Sequence, residues 1–220
     1  MRRSSPVNAS TLRQRLRLIV LTDGGLAAPH GVEVVVKAAL QAGAPSVQVR
    51  DKRATARELL TIALRMRELT ARHGALLFVN DRVDVALAAG ADGVHLGPDD
   101  LPVAAVRASV PDGFLIGFSA DELAVAAAAV SDGADYIGCG AVYTTANKAD
   151  AGLTIGVEGL GRVASGLRVP VVGIGGITVD RVAEVASSGA AGVAVIGAVM
   201  GADDPAEAVR RLLEPFETGA

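Results

Sequence analysis

The sequence predicts a TIM (β/α)8 barrel built as a single α/β domain. Three observations lead there. Eight short segments rich in Val, Ile and Leu recur along the chain, with helical patterns between them. A helix-ending Gly-Ala, followed two residues later by an apolar strand, repeats at Gly43-Ala44, Gly90-Ala91, Gly133-Ala134 and Gly189-Ala190; glycine closes a helix because it accepts the left-handed conformation. The competing architecture is a doubly wound open sheet, but no G-x-G-x-x-G follows the first strand, which disfavours a dinucleotide fold.

Residues 1–14 read as a disordered or irregular lead, because Met1-Arg2-Arg3-Ser4-Ser5-Pro6-Val7-Asn8 is basic and no long apolar stretch follows it. Residues 15–220 are expected to form the one barrel domain, with no linker or low-complexity tract. Strands are expected at 18–22, 46–50, 76–80, 93–96, 114–118, 136–140, 171–174 and 192–196. Helical patterns fall between them, including 57–72, 122–130, 179–187 and 205–213. A further short helix from Arg82 to Gly90 carries the chain back between the third and fourth strands, so those two point the same way.

Half of the 220 residues are hydrophobic but only 3% are aromatic, so small side chains do the packing, as suits helices against a buried parallel sheet. The net charge of -3 and scarce aromatics argue against a nucleic-acid binder, which needs a basic face and stacking rings. A single cysteine, Cys139, rules out an intramolecular disulfide framework and fits a reducing cytosol. No apolar run approaches the roughly 20 residues of a membrane helix. The expectation is a cytoplasmic protein acting on small molecules, with homo-oligomerisation left open.

In TIM barrels the active site lies at the C-terminal ends of the strands. Strand two ends Gln48-Val49-Arg50-Asp51-Lys52, and alternation puts Gln48, Arg50 and Lys52 on one face if Val47 and Val49 face the helices. Those polar groups then line the barrel mouth and suit an anionic ligand, although a solvated strand end with an ion pair has the same pattern. Asp81 ends strand three and Asp100 follows strand four. Each alone fits a helix start, Asp81 as an N-cap and Asp100 just before Leu101-Pro102. As a pair on adjacent strands they can hold Mg²⁺ against a phosphorylated substrate. Ser119 can bond a phosphate oxygen or cap the next helix. The segment Tyr143-Thr144-Thr145-Ala146-Asn147-Lys148 is a hydroxyl-rich loop closing on a lysine, suited to phosphate binding or to a lid. Gly175-Gly176 after strand seven and Ile196-Gly197 after strand eight match the place where these barrels bind phosphate through backbone N–H groups. His95, mid-strand, is read as a packed barrel histidine, and Cys139 as buried and without chemistry.

From Leu18 to about Leu213 the chain resembles the thiamine-phosphate synthase family. The pieces that carry the resemblance are Gln48-Val49-Arg50-Asp51-Lys52, Asn80-Asp81-Arg82, Gly93-Val94-His95-Leu96-Gly97 with Asp100, Ile116-Gly117-Phe118-Ser119, Lys148 and Gly175-Gly176-Ile177, in that order and spacing. The resemblance implies a transferase that joins 4-amino-2-methyl-5-hydroxymethylpyrimidine diphosphate to the phosphate of a methylthiazole, releasing pyrophosphate. It implies that Gln48, Val49, Arg50, Asp51, Lys52, Asn80, Ser119 and Lys148 bind the pyrimidine diphosphate, with Arg50, Lys52, Ser119 and Lys148 catalytic. It implies Mg²⁺ on Asp81 and Asp100, and the thiazole phosphate on Thr145, Ala146, Asn147, Gly175, Gly176, Ile196 and Gly197. Asn147, Thr144, Gly197 and Asp51 stand where the family commonly carries threonine, proline, serine and glutamate. Two alternatives are a related thiazole tautomerase, which needs no diphosphate groups, and a non-catalytic barrel that binds a phosphorylated metabolite.

Overall fold

The computed structural model describes residues 9–28, 30–145 and 154–217. Eight parallel strands close into a barrel in sequence order. They are β1 (Leu18–Leu21), β2 (Ser46–Val49), β3 (Leu76–Asn80), β4 (Gly93–Leu96), β5 (Leu115–Ser119), β6 (Tyr136–Cys139), β7 (Val171–Ile174) and β8 (Gly192–Val195). β8 pairs back onto β1 through Leu18↔Val193, so no sheet edge is left open. Around them run α1 (Ala9–Arg15), α2 (Val32–Gln41), α3 (Ala56–Arg72), α4 (Val83–Ala88), α5 (Val103–Ser109), α6 (Leu123–Ser131), α7 (Gly156–Gly166), α8 (Val182–Ser187), the single turn α9 (Gly197–Met200) and α10 (Pro205–Leu213).

Alternation along each strand separates two cores. Val20, Val47, Val49, Leu77, Val79, Val94, Ile116, Ile137 and Val193 point outward and pack beneath the helices. Ile19, Leu21, Leu76, Phe78, Leu115, Tyr136, Val172 and Ala194 point inward and fill the barrel. The four helix-ending glycines, Gly43, Gly90, Gly133 and Gly189, all take positive φ, from 62° to 106°, as the repeated motif required. Two of these turns carry an aspartate that locks the next strand in place. Asp92 Oδ2 accepts from Leu77 N–H and from Arg67, both at 2.7 Å. Asp135 Oδ2 accepts from Ile116 N–H at 2.7 Å and from Arg107.

One sequence expectation is corrected here. The sequence places an irregular lead at 1–14, yet the chain is helical from Ala9 to Arg15. Leu12 and Leu16 lie one turn apart on the same face, and both are buried with the inward-facing cluster. The N-terminal end of a barrel leaves its innermost apolar layer exposed unless something covers it. Here α1 does so, and Arg13 and Arg15 tie it down by donating to the carbonyls of Gly189 and Gly74.

Candidate active site

At the opposite end of the barrel, above the C-terminal strand ends, a cavity of about 540 Å³ opens. Its walls come from almost every strand, so its chemistry is assembled from distant parts of the chain.

The β2 side carries the cations. Val47 and Val49 face the helices, fully buried, and Gln48, Arg50 and Lys52 line the cavity. Thr22 holds the backbone here: its Oγ1 accepts from Arg50 N–H at 2.9 Å and donates to Arg50 O at 3.2 Å. Gln48 is only 3% exposed, and its Oε1 has no hydrogen-bond donor among the described residues. A buried acceptor left this way is costly unless a ligand donates to it. Two expected residues are not brought into the cavity. Val49 turns its side chain to the outer core, as alternation dictates. Asp51 folds back on its own loop, where Oδ1 accepts from Arg53 and Ala54 N–H.

Asn80, Asp81, Asp99 and Asp100 form the acidic side. Neither expected aspartate is a helix cap: α4 begins after Arg82 and α5 after Pro102. Asp81 instead adopts φ 62°, the one non-glycine residue at positive φ among those described, and donates its N–H to His95 O at 2.8 Å. Asp100 is fixed by Gly97 N–H, which donates to its Oδ2 at 2.6 Å. Burial, above all, and then the Asp100 carboxyl push Asp81 up to about 6, while Lys52 and Arg50 pull the other way. Two carboxyl groups that line one cavity are hard oxygen donors of the kind a divalent cation takes. No cluster of three or more His, Cys, Asp or Glu occurs among the described residues.

Ser119 reaches the cavity from the end of β5 and does not cap α6, whose N-cap is Glu122. Its hydroxyl lies 2.9 Å from His95 Nε2, and His95 Nδ1 lies 3.0 Å from the Tyr136 hydroxyl. His95 also lines the cavity, so it is packed, as expected, but it also belongs to the site.

The far side holds the glycine turns. Gly175 and Gly176 take φ 98° and 63°. A Cβ at either would come within 2.8 Å of the 141–144 loop, so only glycine lets these two backbones pass. Thr145, Ile196 and Gly197 line the same side. Ala146, Asn147 and Lys148 lie outside the described residues. One cation here was not anticipated. Arg181 lines the cavity, donates to Gly176 O at 3.2 Å and stacks over the Tyr143 ring at 4.7 Å. Tyr143 is held in turn by its hydroxyl donating to Glu184 Oε2 at 2.6 Å. The signal available was its place, just before the helix that follows the glycine pair.

The comparisons with known proteins agree with this geometry. Residues 18–199 match a family model described as thiamine monophosphate synthase. The chain is 47% identical over 196 residues to a thiamine-phosphate synthase of Chloroflexus aurantiacus, spanning 89% of this chain and 90% of that one. It is 51% identical over 206 residues to a thiamine biosynthesis bifunctional protein of Symbiobacterium thermophilum; there it spans 94% of its own length and only 42% of the relative's. A solved structure of thiamine phosphate pyrophosphorylase from Pyrococcus furiosus superposes with a TM-score of 0.86 at 42% identity, covering 94% of this chain and 98% of that one. With the family model covering most of the barrel and relatives this similar along nearly all of it, the chain belongs to the thiamine monophosphate synthase family.

Proposed function

We propose that this protein is a thiamine-phosphate synthase. It joins 4-amino-2-methyl-5-hydroxymethylpyrimidine diphosphate to the phosphate of a hydroxyethyl- or carboxyl-bearing methylthiazole, giving thiamine phosphate and pyrophosphate. The observation that carries the reading is one cavity with Asp81, Asp100, Arg50 and Lys52 at one end and the Gly175-Gly176 turn with Gly197 at the other. A tautomerase of the thiazole phosphate has no use for the first end.

Asp81 and Asp100 would hold Mg²⁺, which when bound supplies positive charge to the departing diphosphate. Arg50 and Lys52 meet that charge from the β2 side, where fixed cations are most effective at the moment the charge develops. Gln48 offers its buried Oε1 to an amino group of the pyrimidine. The same ring amino group can donate electrons to the methylene as the diphosphate leaves, so the path is dissociative and the thiazole nitrogen attacks without a protein nucleophile. The glycine turns, with Thr145, seat the thiazole phosphate through backbone N–H groups and a hydroxyl. Arg181 adds a guanidinium beside Gly176 on that side, where Gly197 stands in place of the family's common serine. Two phosphate sites at opposite ends of one cavity hold the partners in line and turn a two-body encounter into a positioned step. The single cysteine, Cys139, leaves no intramolecular disulfide to form and so supports a cytoplasmic setting; burial pushes its thiol up to about 12.

The test is pyrophosphate release by the purified protein with both substrates and Mg²⁺. Release that needs all three is expected; its absence removes the reading.

A further inference from the structure

Ser119, His95 and Tyr136 come from three adjacent strands and form one hydrogen-bonded line from the barrel core to the cavity. The register builds it: His95 is level with Gly117, and Gly117 with Tyr136. Glycine at the intervening positions is required. A Cβ at Gly117 would lie 2.2 Å from Tyr136 Cζ and 2.5 Å from His95 Nδ1, and a Cβ at Gly138 would lie 2.9 Å from His95 Cε1. The space that lets the two rings meet is therefore made by two missing side chains.

The direction of this line follows from burial at its inner end. Tyr136 is 0% exposed, its ring meets Phe78 edge-on at 5.4 Å, and its hydroxyl has His95 Nδ1 as its partner among the described residues. Burial raises the phenol far above its ordinary range, so it keeps its proton. If Nδ1 carried a hydrogen, the phenol would have to accept it, and its own fully buried O–H would be left without an acceptor among the described residues, which costs the desolvation of that donor. The phenol therefore donates to Nδ1. A neutral imidazole that accepts at Nδ1 carries its hydrogen on Nε2. That Nε2–H donates to Ser119 Oγ and occupies one of its lone pairs. The serine hydrogen is thereby released from the ring and turns toward the cavity.

We propose that Tyr136 and His95 are positioning residues that orient the Ser119 hydroxyl as a hydrogen-bond donor to the diphosphate of the first substrate. The identity of the acceptor rests on the synthase reading; the orientation does not. A donor aimed this way strengthens as negative charge collects on the leaving group, so it acts on turnover more than on binding.

Two measurements test it. In a double-mutant cycle, Ser119→Ala is expected to lower kcat about 10-fold and Tyr136→Phe about 5-fold, with the double variant no slower than Ser119→Ala alone. KM for the thiazole phosphate should stay unchanged in all three. Single effects that multiply in the double variant overturn the proposal. The second measurement needs no activity: ¹⁵N NMR of the imidazoles, of which the chain has 3. His95 should show hydrogen on Nε2 and a bare Nδ1 in the wild type, with that tautomer no longer dominant in Tyr136→Phe. Hydrogen on Nδ1 in the wild type overturns the proposal even if the enzyme is active. A wild type that shows the expected tautomer but releases no pyrophosphate removes the synthase reading and leaves the orientation intact.

Discussion

Asp81 combines two unfavourable features at one residue, a left-handed backbone and a carboxyl crowded by Asp100. Strain of this kind persists only where the surrounding structure imposes it, and it concentrates at functional sites. Its folded pKa of about 6 lies above the ordinary 3.8. The folded state then holds the proton more tightly than the unfolded chain, so stability falls as pH rises through that interval and stays low above it. Asparagine keeps the shape, removes the charge and tolerates positive φ. Asp81→Asn should therefore raise the thermal midpoint of metal-free protein at pH 8, with the gain disappearing below the ordinary value of 3.8, while pyrophosphate release drops at least ~100-fold. An unchanged or lower midpoint at pH 8 would contradict the crowding. Arg181 makes the opposite kind of prediction. It is exposed and its contacts are to Gly176 O and the Tyr143 face. Arg181→Ala should leave the midpoint unchanged and raise KM for the thiazole phosphate about 10-fold at constant kcat; a shift in KM for the pyrimidine diphosphate instead would place it in the wrong half of the site. Both residues show the limit of sequence reading at this scale. The type and strand position of Asp81 were legible, but its role as cap or ligand was undecided until the start of α4 was known. Arg181 was missed because its place near a helix start is only a weak signal, and its lean over the glycine turn is set by contacts with Gly176 and Tyr143.

Elements were the most legible level. The start of β2 and the whole of β3, β4, β7 and α10 fall where period and flanking residues put them. The Gly-Ala repeat succeeded because it is a local stereochemical demand: each of those glycines carries positive φ. The aspartates that follow two of them do work that the motif alone does not reveal. Asp135 bonds the start of β5 through Ile116 N–H and pairs with Arg107 of α5, so it joins three elements. Asp135→Ala should cost about 2 kcal/mol in denaturant unfolding, the scale of a charge-assisted hydrogen bond lost at a half-buried site. Kinetic constants of the folded enzyme should not move, since these turns lie at the end away from the cavity. The helix α1 was misread as irregular because seven residues hold too little pattern to declare a helix. Isolated helices that short are marginal, and this one forms because Leu12 and Leu16 have a surface to cover.

At the scale of the molecule, the barrel divides its labour between two ends. One end is closed by α1 and concerns stability; the other is open and concerns chemistry. Leu16 is 0% exposed at the closed end. Leu16→Ala should destabilise by about 2–5 kcal/mol, as a large-to-small change in a packed core does. kcat and both KM values should persist at temperatures where the variant is folded; a loss of turnover there would mean the two ends are coupled.

The order of strands and helices, the inward and outward faces, and the residue types at the strand ends were determined by the sequence alone, because each depends on neighbours a few positions away. The tertiary structure decided what those residues do together. His95 and Tyr136 became parts of a site only when closure stacked β4 and β6 around one axis with β2. Glycines at positions 117 and 138 gained meaning only as room for rings that arrive from other strands. Distances across a barrel are set by register and shear rather than by spacing along the chain, and no local pattern encodes them.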